Sequence, residues 1–94
     1  MLFSEIVERL SKGLDPSRLS DVLKFDCGQD GVVTLGPNGI GTVDQDADCT
    51  IAITTENLAK LLVGKLNPMT GVVTGKLKIS GNPAVAMKLG KLLG

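Results

Sequence analysis

The stretch Asp48-Cys-Thr-Ile-Ala-Ile-Thr54 decides the fold. Its β-branched residues alternate, with Cys49, Ile51 and Ile53 on one side and Thr50, Ala52 and Thr54 on the other, the pattern of a strand with one covered face. The period then changes. Leu58, Leu61 and Leu62 recur at helical spacing, Thr54 or Thr55 stands where an N-cap is needed, and Glu56 falls in the first turn. Gly64 supplies a left-handed stop. Downstream, Asn67-Pro68 and Asn82-Pro83 repeat one device, a side-chain cap followed by proline at a position whose N–H is not needed. They predict a short helix around Pro68 to Val73 and a longer one from Pro83 to Leu93. Between them Lys76-Leu-Lys-Ile-Ser80 alternates as a strand, with Leu77 and Ile79 inward and both lysines outward.

Upstream, Phe3, Ile6, Val7 and Leu10 mark an amphipathic helix with Ser4 as its expected cap and Gly13 at its end. Asp15-Pro-Ser-Arg18 predicts a turn. Val22 to Cys27, Val32 to Leu35 and Ile40 to Val43 predict three strands of an antiparallel meander, joined at Gln29-Asp30-Gly31 and at Gly36-Pro-Asn-Gly39. Strands in runs with helices grouped around them predict an α+β fold with a mostly antiparallel sheet, and 94 residues suffice for one domain, 1–94, with one core.

Composition excludes several functions. With no histidine, there is no Ser-His-Asp or Cys-His pair and no imidazole base titrating near neutrality, so the expectation is a protein that is not an enzyme. Two Phe, no Trp or Tyr and zero net charge offer little to stack or neutralise a nucleic acid, so no nucleic-acid partner is expected. The zero conceals a split. Residues 1–48 hold nine acids and four bases, whereas residues 49–94 hold one acid and six lysines, giving −5 and +5. Cys27 and Cys49 lie in strand-like runs and are expected to be free thiols in a reducing cytoplasm. The start Met-Leu-Phe-Ser-Glu5 turns polar at once, which predicts no leader, and the longest hydrophobic run, Ala84 to Met87, is far short of the roughly 20 residues that span a bilayer.

Motif-like clusters resolve into structure. Gly36-Pro-Asn-Gly-Ile-Gly41 lacks the Gly-Lys-Ser/Thr ending and following helix of a phosphate loop. Asp44, Asp46 and Asp48 lack the glycine turn and bidentate Glu of a calcium loop, so no metal and no cofactor are expected. A thiol nucleophile at Cys27 or Cys49 would have no histidine to activate it. The last helix carries Val85, Ala86, Leu89, Leu92 and Leu93 as its stripe. Ala84 and Met87 widen it, and the apolar surplus next to flexible Met and Gly suggests a ligand cavity beside the ordinary core.

Four motifs occur in order: Ala47-Asp-Cys-Thr-Ile51, Gly64-Lys-Leu-Asn-Pro68, Gly75-Lys-Leu-Lys-Ile-Ser-Gly-Asn82 and Ala86-Met-Lys-Leu89. Together they resemble the signature of the sterol carrier protein-2 domain family, densely over 47–93 and at the level of pattern over 1–46. The resemblance implies a five-stranded sheet covered on one face by helices, with an apolar tunnel between the layers. It also implies non-catalytic binding and transfer of fatty acids, fatty acyl-CoA, sterols or phospholipids. By motif position, Ile51, Ile53, Leu61, Leu62, Val72, Val73, Leu77, Ile79 and Met87 would line the tunnel or the core behind it. Headgroup or anionic-membrane contact would fall to Lys76, Lys78, Lys88 and Lys91. The segments Met69-Thr-Gly-Val-Val-Thr74 and Val32-Val-Thr-Leu35 depart from the Gln and aromatic residues common in the family, which implies smaller tunnel walls. The expectation is a cytoplasmic monomer that carries lipid. The alternative is an accessory protein-interaction module of the same fold whose tunnel is filled by its own side chains.

Overall fold

The computed structural model describes residues 2–13 and 20–93, with side chains described at 2–12 and 20–88. Helix α1 (Phe3–Gly13) leads to strands β1 (Leu23–Asp26), β2 (Val32–Gly36), β3 (Gly39–Gly41) and β4 (Cys49–Ile53). Helices α2 (Thr55–Leu62) and α3 (Pro68–Val73), strand β5 (Leu77–Gly81) and helix α4 (Pro83–Leu93) complete the order. The expected turn at Asp15 to Arg18 lies outside the described residues.

The five strands form one sheet in the order β3-β2-β1-β4-β5. Its register aligns the apolar rows that alternation predicts. Leu35, Leu23 and Cys49 stand side by side, as do Val33, Phe25, Ile51 and Ile79 and, at the end, Ile53 and Leu77. These residues join Ile6 and Leu10 of α1, Leu58 and Leu61 of α2, Leu66, and Val85 and Ala86 of α4 in a single core. The other face carries Thr34, Lys24, Thr50 and Ser80 in one row, and Val32, Asp26, Ala52 and Lys78 in the next. One face is therefore covered by helices, as alternation requires.

The sheet is mixed, not antiparallel throughout, because β4 pairs with β1 in parallel. The physical reason lies where the two strands start. The Val22 N–H donates to Asp48 Oδ2 at 2.8 Å and the Asp48 N–H donates to the Val22 carbonyl at 2.8 Å, so both strands enter the sheet from the same end. The third strand is shorter than expected, Gly39–Gly41 in place of Ile40 to Val43. Lys24 Nζ donates to Asp44 Oδ1 at 2.8 Å and to the Gln45 carbonyl at 3.0 Å, holding the chain away from the sheet edge just beyond it.

Helix ends follow their capping chemistry with one change. Thr54 Oγ1 accepts from the Asn57 N–H at 3.1 Å, and Asn67 Oδ1 accepts from Met69 at 2.9 Å and Thr70 at 3.4 Å. Asn82 Oδ1 accepts from the Ala84 N–H at 3.0 Å. Helix α1, however, starts at Phe3, and Ser4 lies inside it; Glu5 Oε1 instead accepts from the Leu2 N–H at 3.3 Å. Strand β5 likewise starts one residue late, because the Lys76 N–H donates to the Gly71 carbonyl at 2.8 Å and closes α3. Gly81 ends β5 at φ +89°, where a Cβ would stand 2.5 Å from the Asp48 carbonyl oxygen, so only glycine lets β5 and β4 approach here.

Candidate functional site

Strand β5 is the edge on which two helices stand. Helix α3 rests on it through Gly71, whose missing Cβ leaves room for Leu77: an added Cβ would lie 2.8 Å from Leu77 Cδ2. Helix α4 packs on β4 and β5, with Val85 and Ala86 buried in the core that Cys49, the partner of Gly81 at the other end of β5, also joins. Ile79 stands two residues from each of these footholds, on the covered face, and is only half-buried. Ile79 thus packs against the core while keeping part of its apolar surface open at the sheet edge.

The expected site residues therefore divide. Ile51, Ile53, Leu61 and Leu77 are buried in the common core, and Leu62 and Ile79 are half-buried at its margin. Val72, Val73 and Met87 are exposed, at 41%, 83% and 63% of their surface. The structure thus brings the β4, α2 and β5 members together and leaves the α3 and α4 members on the outside of their helices. Lys76 and Lys78 are exposed, and Lys91 lies outside the described side chains. Lys88 is engaged: its Nζ stands 2.9 Å from Asp21 Oδ2, across 67 residues of chain. Asp21 carries no local signal for this role, since a tertiary ion pair leaves no spacing to detect.

Among the described residues a concavity opens between the starts of α1 and α2. This cleft of about 400 Å³ is lined by Leu2, Phe3, Asp30, Thr55, Glu56, Ala59 and Lys60. Thr55 Oγ1 donates to Asp30 Oδ2 at 2.5 Å across its floor, and the Phe3 ring lies against Gly31. Its residues come from three distant segments, so no motif marked it.

The thiols lack the environment of nucleophiles. Cys27 and Cys49 are buried and unbridged, and burial pushes both thiols up. Burial therefore disfavours the thiolate that nucleophilic attack requires. Asp44 accepts from Lys24 Nζ and Asp48 from the Val22 N–H, so both carboxylates have partners within the protein. What the β5 region offers is apolar surface at the edge of a core.

Comparison with known proteins bears on this geometry. The family model described as the SCP-2 sterol transfer family matches residues 5–94. Sterol carrier protein 2 of Gallus gallus is 51% identical over 59 residues, covering 58% of this chain and 11% of that protein. Hydroxysteroid dehydrogenase-like protein 2 of Homo sapiens is 43% identical over 58 residues, covering 62% of this chain and 14% of that protein. The chain thus spans only a small part of the curated relatives it matches. Among solved structures, apo sterol carrier protein 2 of Yarrowia lipolytica superposes with a TM-score of 0.75 at 24% identity, over 94% of this chain and 86% of that one. Sterol carrier protein 2 of Aedes aegypti in complex with palmitate gives 0.72 at 19% identity, over 98% and 90%. At these identities the structures establish a shared fold.

Proposed function

The chain belongs to the SCP-2 sterol transfer family, and from that premise we propose that it binds lipids with fatty acyl or sterol-like bodies and passes them between membranes unchanged, within the cytoplasm. The observation that carries this reading is Ile79, half-buried on the covered face between the footholds of α3 and α4. An apolar chain entering there would meet Ile79 first and the Ile51 row behind it. The relative of the same fold solved with palmitate supports the choice of an acyl ligand.

Energetics favour such a ligand. At about 0.8 kcal/mol per buried methylene, a chain of roughly 14 methylenes gains on the order of 11 kcal/mol before ordering costs, which suffices without any polar contact. Binding driven by area alone discriminates poorly among chains, so headgroup preference falls to the rim. There Lys76 and Lys78 are exposed and available to a carboxylate or phosphate.

One observation favours the alternative of an interaction module. Phe25, Leu23, Leu35, Val33 and Cys49 are fully buried, so this part of the covered face is filled by the protein's own side chains. Displacement of a fluorescent fatty acid from delipidated protein, with native mass spectrometry of the lipid retained on purification, separates the two. Saturable displacement and a retained lipid mass are expected for a carrier. Failure to bind fatty acid, acyl-CoA and sterol at micromolar concentration would overturn that reading in favour of the module.

A further inference from the structure

Helix α3 is amphipathic with its apolar side outward. Met69, Val72 and Val73 fall at i, i+3 and i+4, one face of the helix, and all three are exposed, at 67%, 41% and 83% of their surface. The residue the helix buries is Gly71. Lysines flank this face at both ends. Lys65 follows α2, its N–H donating to the Lys60 carbonyl at 2.8 Å, two residues before the Asn67 cap; Lys76 is held at the helix C-terminus by its bond to the Gly71 carbonyl. Among the described residues neither Lys65, Lys76 nor Lys78 makes an ion pair, unlike Lys12, Lys24, Lys60 and Lys88. No acidic residue occurs after Glu56 anywhere in the sequence. The helix is apolar on its outward face and is flanked in the chain by exposed lysines, with no carboxylate in that stretch.

We propose that the outward face of α3, Met69, Val72 and Val73 between Lys65 and Lys76, docks the protein on the surface of an anionic phospholipid bilayer. The inference rests on the lipid-carrier reading only for its purpose, since α3 stands on β5 and docking would bring the partly exposed Ile79 edge to the source of lipid. Charge complementarity selects the occupant. A bilayer surface asks only for shallow apolar insertion and diffuse positive charge, which a row of Met and Val between lysines supplies. A stable protein interface asks for about 800 Å² from each partner, and a helix of six residues is roughly 9 Å long. Lysine suits the bilayer too: its ammonium is a point charge without the planar fork of arginine, and both arginines, Arg9 and Arg18, precede residue 20.

The test is vesicle flotation of the full chain with phosphatidylcholine alone and with phosphatidylserine added, alongside fatty-acid displacement in solution. Wild-type protein is expected to float with the anionic vesicles, to release as salt is raised, and to float far less with phosphatidylcholine. Each unit of charge lost should weaken flotation about five-fold, so Lys65→Glu alone should cost more than ten-fold and Lys65→Glu with Met69→Ser more still. Fatty-acid affinity should be unchanged in both variants, and circular dichroism checks that they fold. If wild type binds fatty acid but neither vesicle, or if the double variant floats like wild type, the docking proposal is overturned while the carrier reading stands. Failure of wild type to bind fatty acid, with flotation intact and lost in the variants, overturns the carrier reading and supports the docking one.

Discussion

Helices α2 and α3 follow one another in the chain, both open on a side-chain cap, and both place apolar residues at i, i+3 and i+4: Leu58, Leu61 and Leu62 in one, Met69, Val72 and Val73 in the other. The first stripe faces the core, with Leu58 fully buried and Leu61 at 5% exposure. The second faces out. Helix α2 is held by what its side chains fill, whereas α3 is held by a side chain that is missing, at Gly71 over Leu77. Periodicity reports that a helix has an apolar face; in α3 it is the glycine that decides which side comes close to the sheet. The two faces should then answer differently to truncation. Leu58→Ala is expected to cost about 2–5 kcal/mol by lost burial and the cavity left behind, against a change of about 0.5 kcal/mol or less for Met69→Ala, compared by urea denaturation. Equal losses would mean that α3 is packed as α2 is.

A smaller effect probes the foothold itself. Gly71→Ala brings a Cβ to 2.8 Å from Leu77 Cδ2 and 3.2 Å from Cγ, so the leucine must move. Overpacking of this kind costs about 1–3 kcal/mol, reduced by up to about 1 kcal/mol because alanine favours the helix. Combining it with Leu77→Ala should cost less than the two single changes added, because the second change removes the clash made by the first. Additive losses in denaturation midpoints would show that Gly71 and Leu77 do not share this contact.

Much of this frame was legible in the sequence because it is local. Alternation at Cys49, Ile51 and Ile53 names the covered face, and Asn67-Pro68 and Asn82-Pro83 name two helix starts, since each signal lies within a few residues of what it controls. What stayed hidden depends on distance. Alternation says which residues share a face and is silent on which strand lies alongside, so the parallel pairing of β1 with β4, fixed by Asp48 and Val22 across 26 residues, could not be read. The short apolar helix at Pro68 to Val73 could be seen, but the direction its apolar side faces depends on Gly71 meeting Leu77 in space. The expected wall residues Val72 and Val73 therefore stand outside, while Ile51, Ile53, Leu61 and Leu77, whose elements are fixed by strand parity and helix phase, stand inside.

The smallest expected effect concerns α4, whose hold differs again: besides Val85 and Ala86 it uses an ion pair. Lys88 Nζ donates to Asp21 Oδ2 at 2.9 Å and approaches Ser20 Oγ at 3.5 Å, tying the helix to the residues that lead into β1. The hydrogen bond from Lys88 holds the Asp21 carboxyl below its ordinary range, outweighing the opposite pull of burial. A carboxyl that binds its proton less readily when folded adds stability above its unfolded pKa and loses that contribution as pH falls through the folded value. The pair lies at the surface, so salt weakens it and the effect is small. Asp21→Asn should flatten the acid limb of the stability curve, Lys88→Met should flatten it equally, and the double variant should add nothing. At neutral pH, amide exchange should quicken in α4 in either variant and stay unchanged in α2, which is held by Leu58 and Leu61. Equal quickening in both helices would mean that the pair stabilises the whole domain and not α4 in particular.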